Sequence, residues 1–397
     1  MRVSTLGAFN NGLNLMQQLQ SALDHTQRQI SSGRRILTPS DDPVASARAL
    51  GIRESIARLD QFDRNANIAT NRLAQEEVAL QSANNVLQRV RELALQANNG
   101  TQSNESRAQI AVELDELLDQ LVQLANQKDG SGAFLFSGNL QDTQPVTRTA
   151  FGFAYNGDQG QRFIQIGEGR QVADGDSGAD VFFSIKDGNG TFRGSGNPAN
   201  TGTGTLGANS LVDPSAWIPD QYTVTFSAPN VYEVRDGSAL VVGIGPFQPG
   251  DTISFRGIEF AIDGQPDTGD EFVIEPSQNL DVFTSVEQLV AAIRTTVSDD
   301  TSRAAMTNGI NVGLQNIDQA IGRILDVRTQ VGSRLSAIEG QVDSNGAQVL
   351  NYRETLAGLE DLDYAEALSQ LSIEVTTLEA AQQSFIRTQS LSLFNYL

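Results

Sequence analysis

The stretch Ile310 to Leu359, INVGLQNIDQAIGRILDVRTQVGSRLSAIEGQVDSNGAQVLNYRETLAGL, decides the fold class of this chain. Ile310, Leu314, Ile317, Ile321, Ile324, Val331, Leu335, Ile338, Val342, Val349, Tyr352, Leu356 and Leu359 keep alternate steps of four and three. A seam sustained beyond three or four heptads marks a long helix that packs along its length against other helices. Arg328 and Asn345 stand where the pattern asks for apolar residues, and a polar residue in such a seam fixes register at some cost in stability. At the other end of the chain Phe9, Met16, Leu23, Ile30 and Leu37 recur every seven residues, with Leu6 and Leu13 three ahead of the first two. The two ends are patterned to meet each other, which points to an assembly protein.

Working outward, residues from about 5 to 32 form a first amphipathic helix, stopped by Gly33, Pro39 and Pro43. In Ser40-Asp41-Asp42-Pro43 an aspartate can cap the free amides of the next helix, and Pro43 suits its first turn. Leu59, Ala66, Leu73, Leu80, Leu87 and Ala94 carry that helix to about Asn98, roughly 80 Å at 1.5 Å per residue. Asn98-Asn99-Gly100 breaks it, and Ile110, Leu114, Leu117, Leu121 and Leu124 mark a third helix returning alongside. From about Gly130 to Pro276 glycine becomes dense and short alternating runs read as strands, among them Arg162 to Ile166, Tyr222 to Phe226, Thr252 to Phe255 and Glu271 to Ile274. Asn200 to Thr205 reads as loop, and the β region as one domain or as two subdomains joined near residues 195–215. Helix resumes near Ser285 with Val286, Leu289, Val290, Ile293 and Val297 before the long seam. A last helix follows Asp363, with Glu366 three residues on in the manner of a capping box.

The expected fold is α+β: a split α-helical coiled-coil rod formed by both chain ends, with an inserted all-β outer domain. Three divisions follow: 1–38 with 360–397, 39–139 with 280–359, and 140–279. Up to Leu37, Arg2, Arg28, Arg34 and Arg35 face only Asp24, whereas six acidic residues from Glu360 onward face only Arg387. Exposed pairs are worth about 0 to 1 kcal/mol each, against roughly 1.5 to 3 kcal/mol for each large apolar residue buried, so the stripes dominate and charge tunes the pairing.

A net charge of -21, from 27 basic and 48 acidic residues, argues against nucleic acid and anionic lipid as partners. Without cysteine there are no disulfides, thiolate nucleophiles or cysteine-ligated metals. The opening Met1 to Gly7 leads into no apolar run of signal-peptide type, and no run suits a bilayer span, so a soluble protein is expected, either cytosolic or exported without a cleaved signal. Gly202-Thr203-Gly204-Thr205-Leu206-Gly207 matches a dinucleotide fingerprint in letters but lacks the following helix that holds a pyrophosphate. Asp174 to Asp180 and Asp187 to Gly190 lack the glutamate that closes a helix-loop-helix calcium site, with Ile185 and Pro198 in its place, and read as hairpin turns. The one histidine, His25, lies inside the first helix and reads as a solvated position rather than as a catalytic base. No cofactor, metal or enzyme activity is expected. Membrane insertion of the terminal helices is disfavoured by glutamine-rich polar faces without clustered lysine and arginine.

Ile30-Ser31-Ser32-Gly33-Arg34-Arg35-Ile36, followed by Pro39-Ser40-Asp41-Asp42-Pro43, resembles the N-terminal signature of the flagellin family. The closing helix, with Leu378-Glu379-Ala380-Ala381, Phe385 and Ser390 to Leu397, is similar to the C-terminal end of the branch that sits between hook and filament. Pro39 and Pro43 flanking the aspartate pair, and Phe153 to Asp158 leading to Arg162 to Gly167, also resemble that branch, while the ending Asn395-Tyr396-Leu397 departs from the double leucine of filament flagellins. The likeness leaves residues 190–245 unmatched.

The resemblance implies a structural adaptor of the bacterial flagellum, extracellular at the hook–filament junction and homo-oligomeric once assembled. It implies as partners a hook-side junction protein, flagellin, and an export chaperone on the C-terminal helix. Passage through the flagellar type III apparatus as a partly unfolded monomer is part of the same implication, with the terminal helices disordered until neighbours arrive. The expected assembly stripe is Phe9, Met16, Leu23, Ile30, Leu368, Leu371, Val375, Leu378 and Phe385. Asp41, Asp42 and Pro43 are expected to set a hinge, with Asp363 and Glu366 as cap. The alternatives are filament flagellin itself, or a glycan-binding or enzymatic module carried on a flagellin-like scaffold.

Overall fold

The computed structural model describes residues 5–150 and 152–394, without the side chains at 5, 6, 8 and 388–394. The first four residues, the side chain of Leu6 in the opening stripe, the side chains of Ser390 to Phe394 in the closing signature, and residues 395–397 lie outside what is described. Among the described residues there are six α-helices: α1 Thr5–Ser32, α2 Pro43–Ala97, α3 Asn104–Ala125, α4 Val282–Ile293, α5 Asp300–Glu360 and α6 Tyr364–Phe394. Gly33 ends α1 at φ 71°, a left-handed conformation in which a side chain would be strained. Asp42 caps α2 through the Ala45 amide at 3.0 Å, with Pro43 in the first turn where its missing N–H costs nothing. Ser103 and Asp281 cap α3 and α4 in the same way. The fourth helix ends at Ile293, so Val297 lies beyond the stripe expected to include it.

Contacts divide the chain into two compact units, residues 1–64 with 340–397, and residues 65–339. In the first, the seam position Asn345 is buried, donates to Asp63 Oδ1 at 3.0 Å and accepts from Gln341 Nε2 at 2.9 Å. In the second, the other polar seam residue, Arg328, reaches Glu77 Oε1 at 2.7 Å. Both polar intruders thus find partners, so each constrains how its neighbours line up without leaving an unmatched charge.

The described residues of the second unit also form short strands: β1 Val146–Thr149, β2 Gly152–Tyr155, β3 Phe163–Gly167, β4 Arg170–Ala173, β5 Ile185–Lys186, β6 Phe192–Gly196, β7 Thr205–Leu211, β8 Tyr222–Ala228, β9 Val231–Arg235, β10 Val241–Pro246, β11 Thr252–Phe255, β12 Ile258–Asp263, β13 Glu271–Pro276 and β14 Asn279–Leu280. A five-stranded sheet in the order β10-β9-β8-β13-β6 and a three-stranded sheet in the order β11-β12-β7, antiparallel throughout, share one core. Phe192, Tyr222, Phe226 and Phe272 from the first sheet and Phe255, Phe260 and Ile262 from the second fill it, as period-two alternation requires. A separate aromatic cluster of Phe136, Phe153, Phe182, Phe183 and Phe283 joins the β1–β2 hairpin to α4 and to a π-helical turn at Ala179–Phe183.

The change of core therefore falls at the Asp187 to Thr191 turn and not at residues 195–215, because β6 and β7 both feed the sandwich. Asn200 to Thr205 is not simply flexible loop either. Thr205 opens β7, and the buried Asp270 carboxylate accepts from the amides of Thr201 at 2.8 Å and Gly202 at 3.0 Å. The glycine-rich match at Gly202 runs into this strand rather than into a helix. Asn308 and Asn311 on α5 complete the anchoring by bonding the Leu206 amide and carbonyl.

Candidate assembly interface

Within the first unit α1 and α6 run antiparallel and pack on each other, so one chain supplies both helices of a pair that the sequence expects neighbours to complete. Phe9 and Phe385 place their rings 5.3 Å apart. Gly12 meets the same ring so closely that a Cβ there would lie 2.8 Å from it. Along α1 the covered positions include Gly12, Met16, Leu19, Leu23, Thr26 and Ile30, and along α6 they are Ala367, Leu371, Glu374, Leu378, Ala381 and Phe385. Each series steps by three and four, one helical face in each case.

The expected stripe is thereby divided in two. Met16, Leu23, Ile30, Leu371, Leu378 and Phe385 are half-buried along the faces of this pair. Phe9 is 39% exposed, Leu368 54% and Val375 38%, and with them stand Leu13, Ile373 and Ile386 at 40, 58 and 64%. Leu368, Val375 and Ile386 are spaced seven and eleven apart, which brings all three to one side of α6. The pair thus keeps an uncovered apolar stripe after its own seam is closed.

The connectors on either side are tied together. Arg34 and Asp361 form an antiparallel bridge, the Arg35 amide donates to the Glu360 carbonyl at 2.7 Å, and the Leu362 amide donates to the Gly33 carbonyl at 3.1 Å. Arg35 also donates from its guanidinium to the Leu359 carbonyl at 2.8 Å, and Arg53 pairs with Glu360 at 2.5 Å. Asp41 folds the connector by accepting from the amides of Leu37 at 2.9 Å and Thr38 at 2.8 Å. The Thr38 amide foremost holds its carboxyl down to about 2. His25 reaches the same carboxylate at 3.3 Å, so this histidine is a connector contact rather than a bare solvated position. Asp42, held low chiefly by the Ala45 amide, and Pro43 begin α2. Asp363 caps α6 through the amides of Ala365 at 2.9 Å and Glu366 at 3.2 Å.

The second unit contains a cluster that spacing alone did not single out. Asp176, buried, takes both guanidinium nitrogens of Arg334 at 2.8 and 2.9 Å and the amide of Gln161 at 2.7 Å. Its backbone amide donates to Glu76 Oε1 at 3.1 Å, while Arg72 bonds Asp129 at 2.7 Å and the Phe134 carbonyl at 3.1 Å. Asp174, buried beside it, pairs with Arg162 at 2.8 Å. The acidic stretch from Asp174 is accordingly part of a charged joint between helices and β segments, not a hairpin turn, whereas Asp187 to Gly190 does form a tight turn with Gly188 and Gly190 at positive φ. Alternating signs at residues 72, 76 and 334 were visible in the sequence, but nothing in it paired them.

Residues 3–141 match the family model of the bacterial flagellin N-terminal helical region, and residues 314–397 match that of the C-terminal helical region. The flagellar hook-associated protein 3 of Escherichia coli is 24% identical over 99% of both chains. The crystal structure of FlgL from Xanthomonas campestris is 35% identical, with a TM-score of 0.73 over 77% of this chain and 99% of that one. That of the flagellar hook associated protein-3 from Legionella pneumophila is 34% identical, with a TM-score of 0.75 over 78% of this chain and 98% of that one. Helical ends around a β insert, matched along nearly the whole of these relatives, place the chain in the flagellin family, on its hook-associated protein 3 branch.

Proposed function

We propose that this chain is a structural adaptor of the bacterial flagellum, joining the hook-side junction protein to the first flagellin subunits of the filament. The observation that carries the reading is the uncovered apolar stripe of Leu368, Val375 and Ile386 on a helix pair whose own seam is already closed. Exposed apolar area arranged along one face of a helix is unfavourable in a free monomer and becomes favourable when a neighbouring helix covers it. The terminal helices form the inner layer of the assembly, the long helices α2 and α5 the next, and the β insert faces outward. Asp41, Asp42 and Pro43 set the junction between the first two layers. Export proceeds without a cleaved signal through the flagellar secretion apparatus, with a cytosolic chaperone covering α6 on the way.

The test is a deletion strain complemented with the full chain or with chains lacking residues 5–32 or 364–394. Hooks without filaments and flagellin shed into the medium, corrected only by the full chain, support the adaptor. Filaments that persist without this chain refute it. The second reading, filament flagellin, shares both flagellin helical models with the first. It requires the purified chain to polymerise alone into long filaments, which the adaptor reading forbids.

A further inference from the structure

The charged joint of the second unit has two polar atoms with no protein partner, Arg72 Nε and Glu76 Oε2. Both side chains are more than nine-tenths buried. They face a common point beside Gly175. A methyl group built there would lie 3.5 Å from Arg72 Nε, 3.7 Å from Glu76 Oε2 and 3.8 Å from the Leu135 carbonyl oxygen, in ordinary contact with all three. The neighbouring cavity, lined by Arg72, Leu135, Arg162, Asp174, Gly175 and Asp176 but not by Glu76, leaves about 10 Å3 for the centre of a small molecule, close to the roughly 10 to 15 Å3 that one water needs.

The chemistry around this point selects its occupant. One N–H needs an acceptor and Glu76 Oε2 needs a donor, while the Leu135 carbonyl, which accepts from Arg72 Nη2 at a long 3.5 Å, has room for a second donor. A cation would sit against the Arg72 guanidinium and an anion against Glu76, so neither sign of charge is welcome. A neutral molecule with two donors and an acceptor fits, and the volume admits only the smallest. We propose that a single bound water completes this joint, accepting from Arg72 Nε–H and donating to Glu76 Oε2 and the Leu135 carbonyl. It ties α2 to the segments around Leu135 and Asp176, and Arg334 ties the same aspartate to α5. Gly175 is glycine because a side chain would occupy the position of the water. Burial, and then the nearby Asp176 charge, raise the Glu76 pKa well above the ordinary value. A protonated Glu76 would turn its Oε2 into a donor to the same water, so the site tolerates either form.

Gly175→Ala in the full chain discriminates a wet joint from a dry one. Its backbone does not require positive φ, and the methyl group clashes with nothing. If water is present, alanine expels it and strands two buried polar groups, lowering Tm by about 2 to 6 °C. If the space is dry, the same methyl fills a void and Tm stays or rises. A crystal structure of the unaltered chain supplies the second reading, a solvent peak within hydrogen-bond reach of all three atoms. Either a dry density map or an unchanged or raised Tm overturns the inference.

Discussion

Replacing Leu368 and Val375 together by serine separates the two apolar faces of α6. With 54 and 38% of their surface exposed, the two side chains leave uncovered area that a neighbour can bury. That area is roughly 100 Å2 for the leucine and 60 Å2 for the valine, worth about 4 kcal/mol together at about 25 cal/mol per Å2. A loss of that size weakens docking on a neighbouring subunit by about a thousandfold. The monomer should be unaffected, because neither residue lies on the α6 face covered by α1. Leu378→Ser serves as the contrast, since Leu378 is on the covered face. The assay is the half-saturating concentration of labelled chain on isolated hooks carrying the preceding junction protein, with the helical circular dichroism of the free chain measured in parallel. The expected result is a thousandfold weaker double variant with unchanged helicity, and a Leu378→Ser chain that loses helicity in isolation. Undiminished hook binding by the double variant, or helix loss in it equal to that of Leu378→Ser, would refute the division into a self-pairing face and an assembly face.

Three further outcomes follow from the same geometry. Gly12→Val drives a side chain into the Phe385 ring and should destabilise the α1–α6 pair by about 1 to 3 kcal/mol in thermal melts, with Phe385→Ala in the same chain restoring most of it. Asp41 titrates near 2 in the folded connector against an ordinary 3.8. The depressed value means that its stabilisation is complete above about 3.8 and is lost as the pH falls towards 2, so Asp41→Asn should flatten the acid limb of helix melting in that window. Arg334→Met leaves Asp176 buried without its bidentate partner, which should cost about 3 to 5 kcal/mol, read as a fall in Tm of roughly 5 to 9 °C. Substituting Leu for Asp176 in that variant should recover much of the loss.

The sequence was informative wherever a single residue type has a single local use. Gly33 at a left-handed helix end, Pro43 in a first turn, and Asp42 and Asp363 as caps all stand where their chemistry placed them. The seam of α5 is legible where large apolar residues such as Ile310, Ile317, Ile324, Val331, Ile338 and Val349 are buried, and less so where Gly313, Asn316 and Ala320 are. The face of α6 was harder to read. Its covered series includes Ala367, Glu374 and Ala381, which a count of large apolar residues passes over, so the pattern alone puts Leu368 and Val375 on the same stripe as Leu371 and Leu378. Small residues mark close helix approach as surely as large ones mark bulk, and Gly12 opposite Phe385 is the counterpart on α1. The joint around Asp176 was not legible at all. Its partners Glu76 and Arg334 are separated from it by a hundred residues or more, and charge pairing over such distances leaves no periodic trace.

The bridge between residues 34 and 361 bears on how the terminal helix pair can move. The outgoing and returning strands of the chain are fastened to each other by two backbone hydrogen bonds at the point where each changes direction. A pair of helices hung from one strand could swivel freely. Hung from two strands pinned side by side, α1 and α6 cannot spin independently about their own length. Their outward stripe therefore keeps a fixed heading relative to the connectors.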